Sequence, residues 1–163
     1  MDTSTVQPNV PSTQSRPVWL TTLRWYLVIS ASTNLLWEIG QLPLYTIWYT
    51  NTPPQIAFAV AHCTAGDVMI AALALAAALV LVGDAHWPDI SFWLVGGAAI
   101  LAGFAYTVYS EWLNVAVRQT WAYAPAMPVL PPLGIGLSPL LQWLIIPIVA
   151  LFYARRRGMS TGT

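Results

Sequence analysis

Charge is what this chain has least of. Asp, Glu, Lys and Arg together make 7% of its 163 residues, whereas AVILMFWYC residues make 57%. A soluble domain of this size needs far less apolar material for one core, so the composition excludes that class and makes lipid the solvent. Lysine is absent. The six basic residues are Arg16, Arg24, Arg118, Arg155, Arg156 and Arg157, balanced by six acids. Without a cationic stripe to hold a phosphate backbone, nucleic acid is excluded as a partner. A single cysteine, Cys63, permits neither an internal disulfide nor a Cys-x-x-Cys pair, which argues against thiol-disulfide chemistry. Histidine occurs twice, as His62 and His86, in no His-x-x-x-His or Glu-x-x-His spacing. Glu38, His62, Asp67 and Glu111 include metal-ligand types, but that spacing gives no support for a metal, a bis-histidine haem or another cofactor, and none is expected.

What remains is a series of apolar stretches. Residues 1 to 17 are polar and rich in Pro, Ser and Thr, and read as a disordered tail and not as a signal peptide. Four spans are predicted, at about 19–40, 54–83, 90–119 and 139–153, followed by a polar tail over 158–163; 18–157 is then a four-transmembrane-helix bundle. Thr52-Pro53-Pro54 and Ser138-Pro139 suit helix starts. The tight turn around Gly83 to Asp89 forces spans 2 and 3 to run in opposite directions. The segments 41–53 and 120–138, rich in proline and aromatic residues, lie at the other end and suit an interfacial cap. Five of the six arginines flank the end that carries both termini. The positive-inside rule therefore places those termini in the cytoplasm, with the chain in the cell or inner membrane.

The ionisable groups between these stretches share one depth. Taking 1.5 Å of rise per residue from the cytoplasmic end of each span, Asp67 lies at about 24 Å, Glu38 at about 21 Å, Gln142 at about 20 Å, and His62 and Glu111 at about 31 Å. The inner half is nearly all Ala, Leu, Val and Ile. Charge in a bilayer is costly, so a layer of such groups is the expected site of function. Helical spacing puts Asn34 with Glu38 on one face, and Thr107, Glu111, Asn114 and Arg118 on another, where Arg118 or Asn114 would hold Glu111. His62 and Asp67 are about 140° apart around an ideal helix and face different neighbours.

From these positions Glu111 and Asp67 are the leading acid/base candidates, with Glu38 and His62 assisting as further catalytic groups. Asn34, Asn114, Arg118 and Gln142 would orient a substrate. Trp37, Trp112 and Trp143, each next to Glu38, Glu111 or Gln142, would wall a pocket, although two aromatic belts at the membrane interfaces account for most of the nine tryptophans.

The Asn-x-x-Trp-Glu of Asn34, Trp37 and Glu38 resembles an element of polytopic meroterpenoid-type terpene cyclases, over five residues. The four-helix arrangement with acids, a histidine and tryptophans at one end resembles the sterol-isomerase (EXPERA) family. The first resemblance implies buried carboxyls that protonate an isoprenoid, and the second a sterol-isomerase type of activity. The first expectation is therefore a membrane protein with an outward-facing intramembrane pocket that binds, or performs acid-base chemistry on, an isoprenoid or lipid. The isomerase, cyclase and hydratase classes fit that chemistry. Two further readings stay open: a small proton-coupled transporter or transporter subunit, and a structural or assembly subunit. In the last, the polar layer would bind a partner helix, a membrane partner or second copy of the chain, and the Ala- and Gly-rich faces at 71–78 and 96–103 offer close packing for that or for the internal bundle.

Overall fold

The computed structural model describes residues 17–160. The expected polar tail at the N-terminus lies outside them, except for its last residue. Helix α1 (Val18–Gln41) leads through a short 3-10 turn (Leu42–Leu44) and the single-turn α2 (Ile47–Thr50) to α3 (Pro53–Val82). Next come α4 (Phe92–Glu111), continued by a π-helical turn (Trp112–Val117), the strands β1 (Val129–Leu130) and β2 (Ile135–Gly136), and α5 (Leu137–Ser160). Three helices, Pro53–Val82, Phe92–Val117 and Leu137–Ser160, are long and apolar enough to cross a membrane.

Local sequence explains the boundaries. Thr52 precedes prolines at the first two positions of α3, and its backbone N–H donates to Gln55 Oε1 at 2.9 Å, so the first turn caps itself. At the opposite end, Asp84 Oδ1 accepts the His86 backbone N–H at 2.8 Å and lies 2.9 Å from the His86 ring. These bonds to His86, the backbone one foremost, hold the exposed Asp84 carboxyl below its usual range.

Two helix ends differ from the sequence expectation. The fourth helix runs to Ser160, seven residues past the expected Tyr153 and through the first part of the expected polar tail. The arginines there are not left to extend into solvent alone. Arg155 lies over Phe92 at 4.6 Å, Arg156 over Phe152 at 4.2 Å and Arg157 over Trp25 at 5.2 Å, so stacking carries the helix onward. The third helix starts at Phe92 and switches to π-helical hydrogen bonding directly after Glu111, as in the bond from Arg118 N to Leu113 O at 2.7 Å.

The four long helices form a ring in which α1 packs on α3, α3 on α4, α4 on α5 and α5 back on α1. Small residues allow the close approaches. Ala71, Ala74 and Ala78 of α3 are buried, as are Gly96, Ala99 and Gly103 of α4 and Ala150 and Ala154 of α5. A Cβ on Gly103 would run into the Trp143 ring, so glycine there is what lets that indole lie flat against α4.

Helix α1 is built the other way round from a soluble helix. Its buried residues are Thr22, Tyr26, Ser30, Asn34 and Gln41, whereas Val28, Leu35, Leu36 and Ile39 are exposed. Polar groups turned inward and aliphatic groups turned outward are the arrangement a hydrocarbon solvent selects.

Candidate functional site

Four of the polar residues from three helices meet at one buried point. Gln142 of α5, 2% exposed, aims its Nε2 at Asn34 Oδ1 (2.9 Å), Glu38 Oε1 (3.1 Å) and Asp67 Oδ2 (3.0 Å). An amide nitrogen has two protons, so three acceptors compete for two donors. Gln41 adds a second amide, whose Nε2 donates to Glu38 Oε1 at 2.8 Å and to Gln142 Oε1 at 3.3 Å. The Glu38 and Asp67 carboxyls thus accept from one and the same amide nitrogen. Asn34 is fixed in turn, its Nδ2 donating to Ser30 O at 2.9 Å.

The backbone makes this meeting possible. Asn34, Glu38 and Gln41 are spaced four and three apart and share the inward face of α1. Pro147 lies inside α5 and cannot donate to the Trp143 carbonyl, which loosens the helix one turn below Gln142 and Trp143.

Glu111 forms a separate subsite. It is 8% exposed, and the Tyr123 hydroxyl donates to its Oε2. That hydroxyl also accepts the Gly136 N–H at 2.9 Å. Tyr123 belongs to the segment between α4 and α5, which pairs with the segment between α1 and α3: Thr46 N donates to Ala122 O at 3.0 Å and Ala124 N to Leu44 O at 2.9 Å. The two interhelical segments thus close over the polar end of the bundle, and the rings of Tyr45 and Tyr123 lie 5.5 Å apart across the join. Burial first, then the charge of Glu111, raises the Tyr45 phenol well above its ordinary range. The Tyr123 phenol is raised by burial and then by its bond to Glu111.

The remaining expected residues fall outside both groups. His62 is exposed and stacks on Phe58, ring centroids 5.7 Å apart, on the side of α3 away from Asp67. The offset around the helix accounts for this. Arg118 is exposed and, among the described residues, makes no ion pair with Glu111, while Asn114 Nδ2 donates to Ser110 O at 2.9 Å. The partner of Glu111 is therefore a tyrosine from the cap and neither expected group. The π-helical turn is the physical reason, since it rotates residues past 111 off the 3.6-residue face. Trp37 donates its Nε1 to Ser138 Oγ at 3.1 Å beside the network, and Trp143 is buried beneath it, but Trp112 is exposed against Tyr109. No three His, Cys, Asp or Glu side chains among the described residues converge as metal ligands.

Gln41, Ser138, Tyr45 and Tyr123 are the contributors that sequence reasoning missed. Only Gln41 carried a signal, three residues after Glu38 on the same face. Comparison with protein families, curated proteins and solved structures finds no match to this chain.

Proposed function

We propose that the chain is a four-span integral membrane protein, both termini cytoplasmic, whose intramembrane carboxyl pair performs acid-base chemistry on an isoprenoid or other lipid. The observation that carries this reading is the Glu38–Asp67 pair held by the Gln142 and Gln41 amides inside a lipid-facing bundle. Helix α1 supplies the fourth span: its 24 residues extend about 36 Å, and its outward face is aliphatic.

In an isomerisation, the protonated carboxyl of the pair gives its proton to one carbon of a substrate double bond. The ionised partner takes a proton from a neighbouring carbon. The double bond moves, and the pair returns to one proton shared between two carboxyls with no net change in atoms or charge. Gln142 and Asn34 hold both oxygens in place through the exchange. Glu111 and Tyr123 act at the cap, which keeps water from the pair.

Lipid extracts of cells that express wild type, Glu38→Gln or Asp67→Asn would test this. The expected result is a lipid species present with wild type and replaced, in both variants, by its double-bond isomer. Identical lipid profiles in all three would overturn the acid-base assignment.

A further inference from the structure

Between α1 and α5 a groove of about 500 Å³ runs along the flank of the bundle. Leu36, Ile145 and Val149 form its walls, and Trp37, Gln41 and Ser138 gather at one end; Thr33, toward the other, turns its hydroxyl to Ile29 O at 2.6 Å. Its lining follows α1 from Thr33 to Gln41, a length of about 12 Å, so it faces the surrounding hydrocarbon sideways.

The polar end is wired to the carboxyl pair. Trp37 Nε1 donates to Ser138 Oγ at 3.1 Å, Ser138 Oγ to Gln41 Oε1 at 2.8 Å, and Gln41 Nε2 to Glu38 Oε1 at 2.8 Å. One side-chain amide, that of Gln41, thus stands between the groove and Glu38.

We propose that this groove binds a single-chain amphiphile with an uncharged hydroxyl head, and that Gln41 is the positioning residue that presents the head to Glu38. This rests on the acid-base reading above and names the substrate class for the same site. Three observations select the occupant. Among the described residues no charged side chain lines the groove, so a phosphate or ammonium head would lose its hydration without a partner, and the carboxyls behind Gln41 repel an anion. The volume falls within the roughly 300 to 1,000 Å³ of single-ligand pockets, which suits one chain and not the two of a bilayer phospholipid. An oxygen that both donates and accepts can enter the Trp37–Ser138–Gln41 chain without leaving a group unsatisfied.

The test uses the full chain in nanodiscs with three diazirine probes of equal chain length: a fatty alcohol, a fatty acid and a phosphatidylcholine. The alcohol is expected to label α5 around Ile145 to Val149, to be displaced by unlabelled alcohol, and to lose about tenfold in labelling in Val149→Trp or Ile145→Trp. Gln41→Ala is expected to retain labelling but to lose turnover of the native lipid, with rescue by Gln41→Asn. Leu101→Trp, on the exposed flank of α4, serves as control and leaves labelling unchanged.

Equal labelling by all three probes without displacement, which is contact with bulk lipid only, would overturn the proposal. So would labelling indifferent to both groove-filling variants. The two readings fail separately. Groove labelling that persists in wild type and Asp67→Asn with identical lipid profiles removes the chemistry and keeps the binding site, whereas turnover without specific labelling removes the groove alone.

Discussion

Removing the Gln142 amide leaves acceptors on Asn34, Glu38 and Asp67 without the N–H group that faces them. An unsatisfied buried polar group costs about 1 to 3 kcal/mol, so Gln142→Leu is expected to destabilise the bundle by on the order of 3 kcal/mol or more. Thermal unfolding in detergent would read this as a large fall in Tm, against little change for Leu141→Ala on the exposed side of the same helix. A Gln142→Leu protein as stable as wild type would mean that the network does not hold the helices. The sequence makes most of this legible, because helix rise is constant: Glu38, Asp67 and Gln142 fall at one depth and meet there, with Asn34 on the same helix face as Glu38. What depth alone does not supply is rotation around each helix. His62 shares the layer yet stacks on Phe58 outside the bundle.

The cap and the helix it closes pose the question at the scale of elements. Tyr123 ties the segment between α4 and α5 to Glu111, and the Tyr45–Tyr123 pair joins the two segments. Tyr123→Phe is expected to speed backbone hydrogen exchange over 120–136 with little effect in the inner half of α3. Its pH dependence has a definite sign. A phenol raised in the folded state favours its protonated form there, so its contribution is complete below the ordinary tyrosine value of about 10 and fades as pH rises beyond it. Wild-type protection of the cap is therefore expected to hold through neutral pH and to fall only in the alkaline range, a fall reduced in Tyr123→Phe. Loss of protection between neutrality and that range would contradict it.

Such a cap was partly foreseeable from its prolines and aromatics. The Glu111–Tyr123 bond was not, because the π-helical turn after Glu111 and the pairing of two segments more than seventy residues apart leave no periodic trace. The helix contacts are more local. Gly103→Leu would place a side chain where the Trp143 ring lies, and overpacking of this kind costs about 1 to 3 kcal/mol. A loss of Tm in Gly103→Leu, absent for Leu at the open position Gly97, is the expected contrast.

For the molecule as a whole, the inverted character of α1 decides how the chain sits in lipid. No continuous stretch of α1 is as apolar as those of the other three long helices, since it carries Arg24, Glu38 and a row of Ser, Thr and Asn. Average apolarity, however, ignores direction, and the buried members of that row turn toward α3 and α5 while Leu35, Leu36 and Ile39 face out. If α3, α4 and α5 span, the segment 41–53 and the turn 83–91 lie on opposite sides of the membrane and the arginines at 155–157 share a side with the turn; if α1 spans as well, Arg24 joins them. Cysteine labelling separates the alternatives because Cys63 is the only native thiol. In a Cys63→Ser background, Thr50→Cys is expected to react with an impermeant maleimide on intact cells, whereas Asp89→Cys reacts only after permeabilisation; both positions are exposed. Labelling of both without permeabilisation would leave α3 as no span at all. The reverse pattern would keep the four helices and invert the molecule, placing the carboxyl pair toward the cytoplasm.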